Sequence, residues 1–452
     1  MNGPGEGTQQ GLGALLPEIV SPPPGPASRA MAERLRAVES RNVTFVDDGW
    51  PVFWSDARGA NVVDADGNVY VDLTSAFGVA LLGHGSAALE RTLAARGLVH
   101  GMGDIHPPTA KLELLERLAA IAPWPETKVI LGSSGSEAVE AALKTAALAS
   151  GRPGVLAFEG GYHGLTVGSL AVTERPHFRE RFGPRLYGGV AFAPWPAGAP
   201  SSPAAVLERV ARLLDEGAPN GDPIGTIVVE PVQARGGARV PPEGFMPALS
   251  EIADERGILV VADEIFTGLG RCGALFASSR VGLRPDVICV GKVLGAGLPL
   301  SACLAPAAVM DAWPRSSGEA IHTSTFLGHP LACAAAVATL DDLERCDVPA
   351  RAEVLGRELR DALERRAGRA ARVSEIRGLG LLIGVAFADP ASGEPIPGAG
   401  ARVARRLLAD GLIALPAGDL GEVLELAPPV TITAEQIGYA VARIGAAIEE
   451  AG

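Results

Sequence analysis

Residues 257–292 read GILVVADEIFTGLGRCGALFASSRVGLRPDVICVGK. Two near-continuous apolar runs, ILVVA and VICV, each give way to a polar group: Asp263 closes the first, and Lys292 follows the second after one glycine. Apolar runs without alternation suit strands buried on both faces. KVILG, GVLAF, GVAFA and GTIVVE repeat the pattern upstream, with helical stretches at 137–149, 203–216 and 245–256 between several of them. Strands alternating with helices predict an α/β fold: a mostly parallel central sheet with helices on both faces. Ligands of such sheets gather at the carboxyl ends of the strands, where Asp263 and Lys292 stand.

On either side of this block the character changes. Residues 1–28 are rich in glycine and proline without periodicity, which predicts a mobile arm. The segment 29–100 opens with a helical stripe and continues through NVVDADGNVYVDL, two short strands around an Asp-Gly turn. The large domain is expected over 101–340. From 341 to 452, helices near 350–366, 398–409 and 433–449 alternate with IRGLGLLIGVAF and LIALPAG. That predicts a smaller α+β domain.

Composition removes several classes of function. Of 452 residues, 47% are apolar, too many for a disordered chain. No apolar run approaches the roughly 18 residues that span a bilayer, so no membrane partner is expected. The net charge of −13 with no basic patch argues against nucleic acid. Five cysteines without a CxxC pair read as buried free thiols, and no metal site is expected. With no basic segment ahead of an apolar stretch at the start, the expected compartment is the cytoplasm.

Only four of the 39 basic residues are lysines. Lys111 lies in an amphipathic stretch and reads as solvated surface. Lys128 borders a strand and reads as an edge residue. Lys144 follows Glu140 by four positions, an ordinary helix-surface pair. Lys292 alone emerges at a sheet's carboxyl edge, with the glycine-rich VLGAGLP behind it. A partly desolvated amine there is available for a Schiff base, with a rim lysine in a glycine loop as the plainer alternative from this residue alone.

Three further pieces bear on it. GSSGSEAVEAALK (132–144) is a strand end, a small-residue turn and a helix start. Backbone N–H groups at Ser134, Gly135 and Ser136 would cradle a phosphate there, or one of the serines is a plain N-cap. Asp263 needs a cationic partner where it leaves a buried strand, either a protonated ring nitrogen or an arginine. Tyr162, after GVLAFEGG, offers a face to a planar ring or to the core. GLGRCG (268–273) has dinucleotide spacing, but no helix pattern follows it. Phosphate cradle, aromatic plate, buried carboxylate and strand-end lysine together describe a site for pyridoxal 5′-phosphate.

With these residues in place, the chain resembles the class-III aminotransferases, pyridoxal-phosphate enzymes of fold type I. The resemblance runs from about residue 41 to the C-terminus through SSGSEAVEAALK, YHG, EPVQ, VADEIFTGLGR, DVICVGKVLGAGLPLSA, HTSTFLGHP, IRGLGLLIG and LAPPVTIT. It implies that Lys292 carries the cofactor as a Schiff base and that Gly135 and Ser136 hold its phosphate. Tyr162 would stack on its ring, Asp263 would meet its pyridine nitrogen, and Ile265 would touch the opposite face. Thr325 would reach the phosphate in the neighbouring subunit of a homodimer, and 29–100 would join the smaller domain and contact that subunit. The implied reaction is a ping-pong transfer of an amino group from an amine or amino acid to a keto acid or aldehyde. Lys292 moves the proton and Asp263 keeps the ring nitrogen charged.

Three positions depart from the family's pattern. Phe266 stands where a glutamine commonly follows, Leu165 where an arginine often does, and Glu425 where many relatives carry a carboxylate-binding arginine. Arg235, in EPVQARGG, is positively charged where relatives often have a glutamate or a small polar residue. These changes suggest a swap in which Arg235 grips a substrate carboxylate, or pairs with Glu425 or Glu230. The plain alternative has Arg235 facing solvent and Glu425 on a strand surface. A racemase, epimerase or aminomutase on the same scaffold is the second functional reading, and a catalytically silent homologue the third.

Overall fold

The computed structural model describes residues 11–95, 100–196 and 202–450. Contacts divide the chain into two units, one of residues 1–86, 354–377 and 381–452, the other of residues 87–353 with 378–380. The larger unit therefore begins and ends outside the 101–340 read from composition.

Seven strands form the larger unit's sheet. In chain order they are β1 (Thr127–Gly132), β2 (Gly154–Phe158), β3 (Val190–Ala193), β4 (Ile224–Val229), β5 (Leu259–Asp263), β6 (Val287–Val290) and β7 (Ser301–Pro306). Their spatial order is β1-β7-β6-β5-β4-β2-β3. The neighbours from β6 through β3 run parallel, whereas β7 is antiparallel to both β6 and β1. The antiparallel strand follows from chain length. A parallel return needs a crossover of about a dozen residues or more, and β6 is joined to β7 by a short turn, Lys292–Gly295, and a few glycine-rich positions.

The helix Gly135–Ser150 packs on this sheet through Ala138, Val139, Ala141, Ala142 and Ala146. These small side chains meet Val155, Val228, Val261, Val287 and Cys289 in one buried cluster. Both faces of β5 and β6 are covered, which is why their sequences do not alternate. Five free cysteines are present, four of them buried. Among the described residues no helix is long and apolar enough to cross a membrane, and no His/Cys/Asp/Glu group could hold a metal.

In the smaller unit, Asn61–Asp64 and Val69–Asp72 pair antiparallel around the Asp-Gly turn, as the sequence predicts. A second sheet of four strands, among them Leu382–Phe387 and Val423–Leu426, packs with the helices Ala399–Ala409 and Ala434–Glu450. Val385, Leu407, Leu424 and Ile444 form its core.

The mobile arm expected over 1–28 is corrected where it is described; residues 1–10 lie outside the described residues. Asn61 Oδ1 accepts from the N–H groups of Gly13 and Leu15 at 2.9 Å, and Asn68 Oδ1 from those of Val20 and Ser21. Glu18 pairs with Val69, and a helix begins at Pro26. Two buried asparagine side chains thus pin a segment that has no periodicity of its own.

Candidate active site

The turn between β1 and its helix presents backbone N–H groups at a helix start, where an anion can bind. Ser134 caps the helix, its Oγ accepting from Glu137 N at 3.3 Å, and Glu137 Oε2 accepts from Ser133 N at 2.6 Å. Ser301 Oγ on β7 donates to Ser134 O at 2.6 Å and ties the turn to the sheet. The N–H groups of Gly135 and Ser136, in the first helical turn, have no intrahelical acceptor and carry the positive end of the helix dipole. Ser134 Oγ thus accepts at the cap and keeps its own O–H, while Gly135 and Ser136 present their N–H groups at the helix start.

The glycines of this corner leave room that a methyl group would fill. A Cβ on Gly135 would lie 3.0 Å from Ile265 Cδ1, and one on Gly164 would lie 2.2 Å from Ser136 Oγ. Ile265 also faces Gly291, whose Cβ would sit 3.4 Å from it. Ile265 thus stands between the anion turn and the residue that precedes Lys292.

Asp263 ends β5 directly beside Cys289 of β6, three positions before Lys292. It is 4% exposed, its Oδ1 accepts from Ile265 N at 3.1 Å, and its Oδ2 lies 2.8 Å from His163 Nδ1. Burial alone would lower the His163 pKa. The hydrogen bond and charge of Asp263 outweigh it and hold that pKa above its ordinary value. The sequence analysis gives His163 no role; a histidine next to the expected ring-stacking Tyr162 is the available signal.

Lys292 takes a left-handed backbone conformation, φ 45°, which costs a non-glycine residue on the order of 1–3 kcal/mol. Its Nζ sits 4.7 Å from the centre of the Phe266 ring. Tyr162 meets Phe178 edge to face at 5.6 Å. Burial raises the Tyr162 pKa, opposed by the charges of Arg235 and Arg175.

The other three lysines behave otherwise. Lys111 corrects the solvated-surface reading, because its half-buried Nζ donates to Gly103 O at 2.6 Å. Lys144 corrects the pairing with Glu140: its Nζ lies 3.4 Å from His322 Nδ1, while Glu140 Oε1 accepts from Thr166 and from Gly168 N. Lys128 pairs with Asp311 at the surface.

The remaining candidates separate. Glu230 Oε1 accepts from Tyr162 N and Oε2 from Ala234 N, both at 3.0 Å, so its carboxyl braces backbone. Burial pushes its pKa up. Arg235 lies in the following turn, half-buried. Glu425 belongs to the smaller unit and is 3% exposed on its strand, which corrects the alternative of a strand-surface residue. Thr325 is exposed in the turn after Thr323, whose Oγ1 donates to Asp104 at 3.1 Å. GLGRCG forms turns rather than a helix start, with Arg271 fully buried, which excludes a dinucleotide loop.

Comparison with known proteins places this geometry. The family model "Aminotransferase class-III" matches residues 45–448. The chain is 34% identical to a 4-aminobutyrate aminotransferase of Mycobacterium leprae, over 92% of this chain and 95% of that protein. It is also 34% identical to an acetylornithine aminotransferase of Methanopyrus kandleri, over 89% and 96%. A solved amine transaminase from an uncultivated Pseudomonas species, with PLP bound, superposes with a TM-score of 0.82 at 29% identity, covering 92% of this chain and 99% of that one.

Proposed function

The chain belongs to the class-III aminotransferases and is a pyridoxal-phosphate-dependent transaminase, and on that footing we propose that Lys292 carries its cofactor and Arg235 receives the acceptor's carboxylate. The observation that carries the first assignment is the placement of Asp263 and Lys292. A buried carboxylate ends one strand and a lysine follows the end of the neighbouring strand, next to the turn before Gly135. The residues fit the group. Gly135 and Ser136 would hold the phosphate, Ile265 and Tyr162 would flank the ring, and Asp263 would face the pyridine nitrogen.

Bound there, the cofactor supplies a carbonyl that condenses with amines and a ring that accepts electrons. The protein supplies proton transfer and orientation. The Lys292 amine would take the proton from the substrate carbon that bears nitrogen and carry it to the carbon that receives it. The Asp263 carboxylate keeps a proton on the ring nitrogen, and His163 holds that carboxylate in place. Phe266 and Ile265 keep water from the lysine.

Relatives named 4-aminobutyrate, acetylornithine and putrescine aminotransferase favour the transaminase reading over a racemase or aminomutase. The exposed Met102, Ile105, Ile321 and Phe326 support a homodimer, because exposed apolar clusters mark interfaces. Thr325, beside Phe326, would then serve the neighbouring subunit's phosphate. Buried free thiols accord with a cytoplasmic location.

Borohydride reduction followed by peptide mapping tests the lysine, with the cofactor expected on Lys292. A label on Lys111, Lys128 or Lys144 overturns the assignment. A panel of amines with pyruvate or 2-oxoglutarate, read by pyridoxamine phosphate formation, tests the reaction.

A further inference from the structure

We propose that Arg175 is a positioning residue that fixes Arg235 for a 2-oxo carboxylate acceptor, and so sets the preference for keto acids over aldehydes. The inference rests on the reading that Arg235 receives the carboxylate. Arg175 precedes Pro176, which keeps it out of the helical region, at φ −142° and ψ 105°. The extended backbone carries its side chain inward, where the residue is only 8% exposed. There its Nη1 donates to Arg235 O at 2.8 Å. A buried guanidinium is costly unless its donors meet acceptors, so this bond carries weight.

The turn that holds Arg235 is braced from three directions. Its entry is held by Glu230, through Ala234 N, and by Gln233 Nε2, which donates to Glu159 O at 2.8 Å. Its two arms meet where Gln233 pairs with Arg239. Arg175 grips Arg235 itself. Without that bond the residue keeps its sequence position but loses the anchor of its own peptide.

The charges favour an anion at this place. Arg235 and Arg175 both act on the Tyr162 hydroxyl, the side chain proposed to stack on the cofactor. Of the carboxyls acting on the same hydroxyl, Asp263 is engaged by His163 and Glu230 by two backbone N–H groups. Glu174, next in sequence, accepts from Gly160 N at 3.1 Å. An aldehyde acceptor brings no charge to this arrangement, and a 2-oxo acid does.

The holoenzymes Arg175→Met, Arg175→Gln and Arg175→Lys test the proposal beside Arg235→Ala. Arg175→Met and Arg175→Gln are expected to raise KM for 2-oxoglutarate about tenfold while kcat stays within about threefold. Gln is too short to reach the Arg235 carbonyl but keeps a polar head, so it serves if Met does not fold. KM for butanal should not move, and Arg175→Lys should recover most of the loss. Binding of glutarate, an unreactive dicarboxylate, read by calorimetry, should weaken by the same factor. Folded Met or Gln variants with an unchanged KM and glutarate affinity overturn the proposal. So does an equal rise in KM for butanal, or no recovery with Lys. If Arg235→Ala leaves 2-oxoglutarate binding unchanged, the carboxylate reading itself falls. If Arg235→Ala weakens binding and Arg175→Met does not, only the role of Arg175 falls.

Discussion

His163 Nδ1 lies 2.8 Å from Asp263 Oδ2, with both side chains buried. The pair joins the segment after β2 to the end of β5, so one histidine sets the orientation of the carboxylate proposed to face the cofactor. Burial is the largest single influence on His163 and favours the neutral ring, but the hydrogen bond and charge of Asp263 together with the charge of Glu230 outweigh it. A histidine whose folded pKa lies above its free value of about 6.5 stabilises the fold fully below that pH. The contribution is lost as pH rises through the folded value. The stability lost in His163→Gln, measured by urea unfolding at saturating cofactor, should therefore be largest near pH 6 and shrink at higher pH. A loss that is flat or grows between about pH 6 and pH 9 would show that the pair is not charged in the fold.

Replacement of the carboxylate itself separates anchoring from chemistry. Asp263→Asn keeps the shape and loses the charge that holds a proton on the ring nitrogen. The single-turnover rate of amino transfer should fall by several orders of magnitude, while the Gly135–Ser136 turn still retains the cofactor. A rate within about tenfold of wild type would reduce Asp263 to a structural role.

Much of this was legible because local patterns and the fold agree. The ILVVA and VICV runs are buried on both faces, and the polar groups at their ends are at the carboxyl edge where parallel strands put them. What escaped depends on contacts between distant segments. The Asn61 and Asn68 side chains that pin the N-terminal segment sit nearly fifty positions away from it. The Arg175 bond to Arg235 crosses sixty positions, and the His163–Asp263 bond one hundred. No periodicity signals such pairs. Lys111 was misread for a related reason: its helix is amphipathic, but a half-buried position let the ammonium reach a loop carbonyl.

The cradle around Ser136 makes a prediction about cofactor retention. Gly164 has φ 120°, a conformation L-residues rarely adopt, and its Cβ would collide with Ser136 Oγ. That hydroxyl already accepts from Leu165 N at 3.2 Å. Gly164→Ala must displace Ser136 or the loop, and should weaken pyridoxal phosphate binding more than tenfold in a gel-filtration or absorbance titration. Unchanged affinity in a folded variant would show that neither the Ser136 hydroxyl nor the Gly164 loop contributes to holding the phosphate.

Phe266 departs from the family's pattern, and its ring meets Lys292. Its ring centre is 4.7 Å from Nζ and the residue is 6% exposed. An ammonium over an aromatic face is held by about 0.5–2 kcal/mol, an attraction the neutral amine does not share. Phe266→Leu keeps an apolar wall and removes that attraction, so a larger fraction of Lys292 is the nucleophilic amine. In the protein stripped of cofactor, trinitrobenzenesulfonate should label Lys292 roughly 2- to 30-fold faster in the variant at neutral pH. Only four lysines exist, so mass mapping resolves each, and exposed Lys128 serves as the internal reference. A Lys292-to-Lys128 labelling ratio that stays constant or falls would show that Phe266 acts on the lysine by bulk alone.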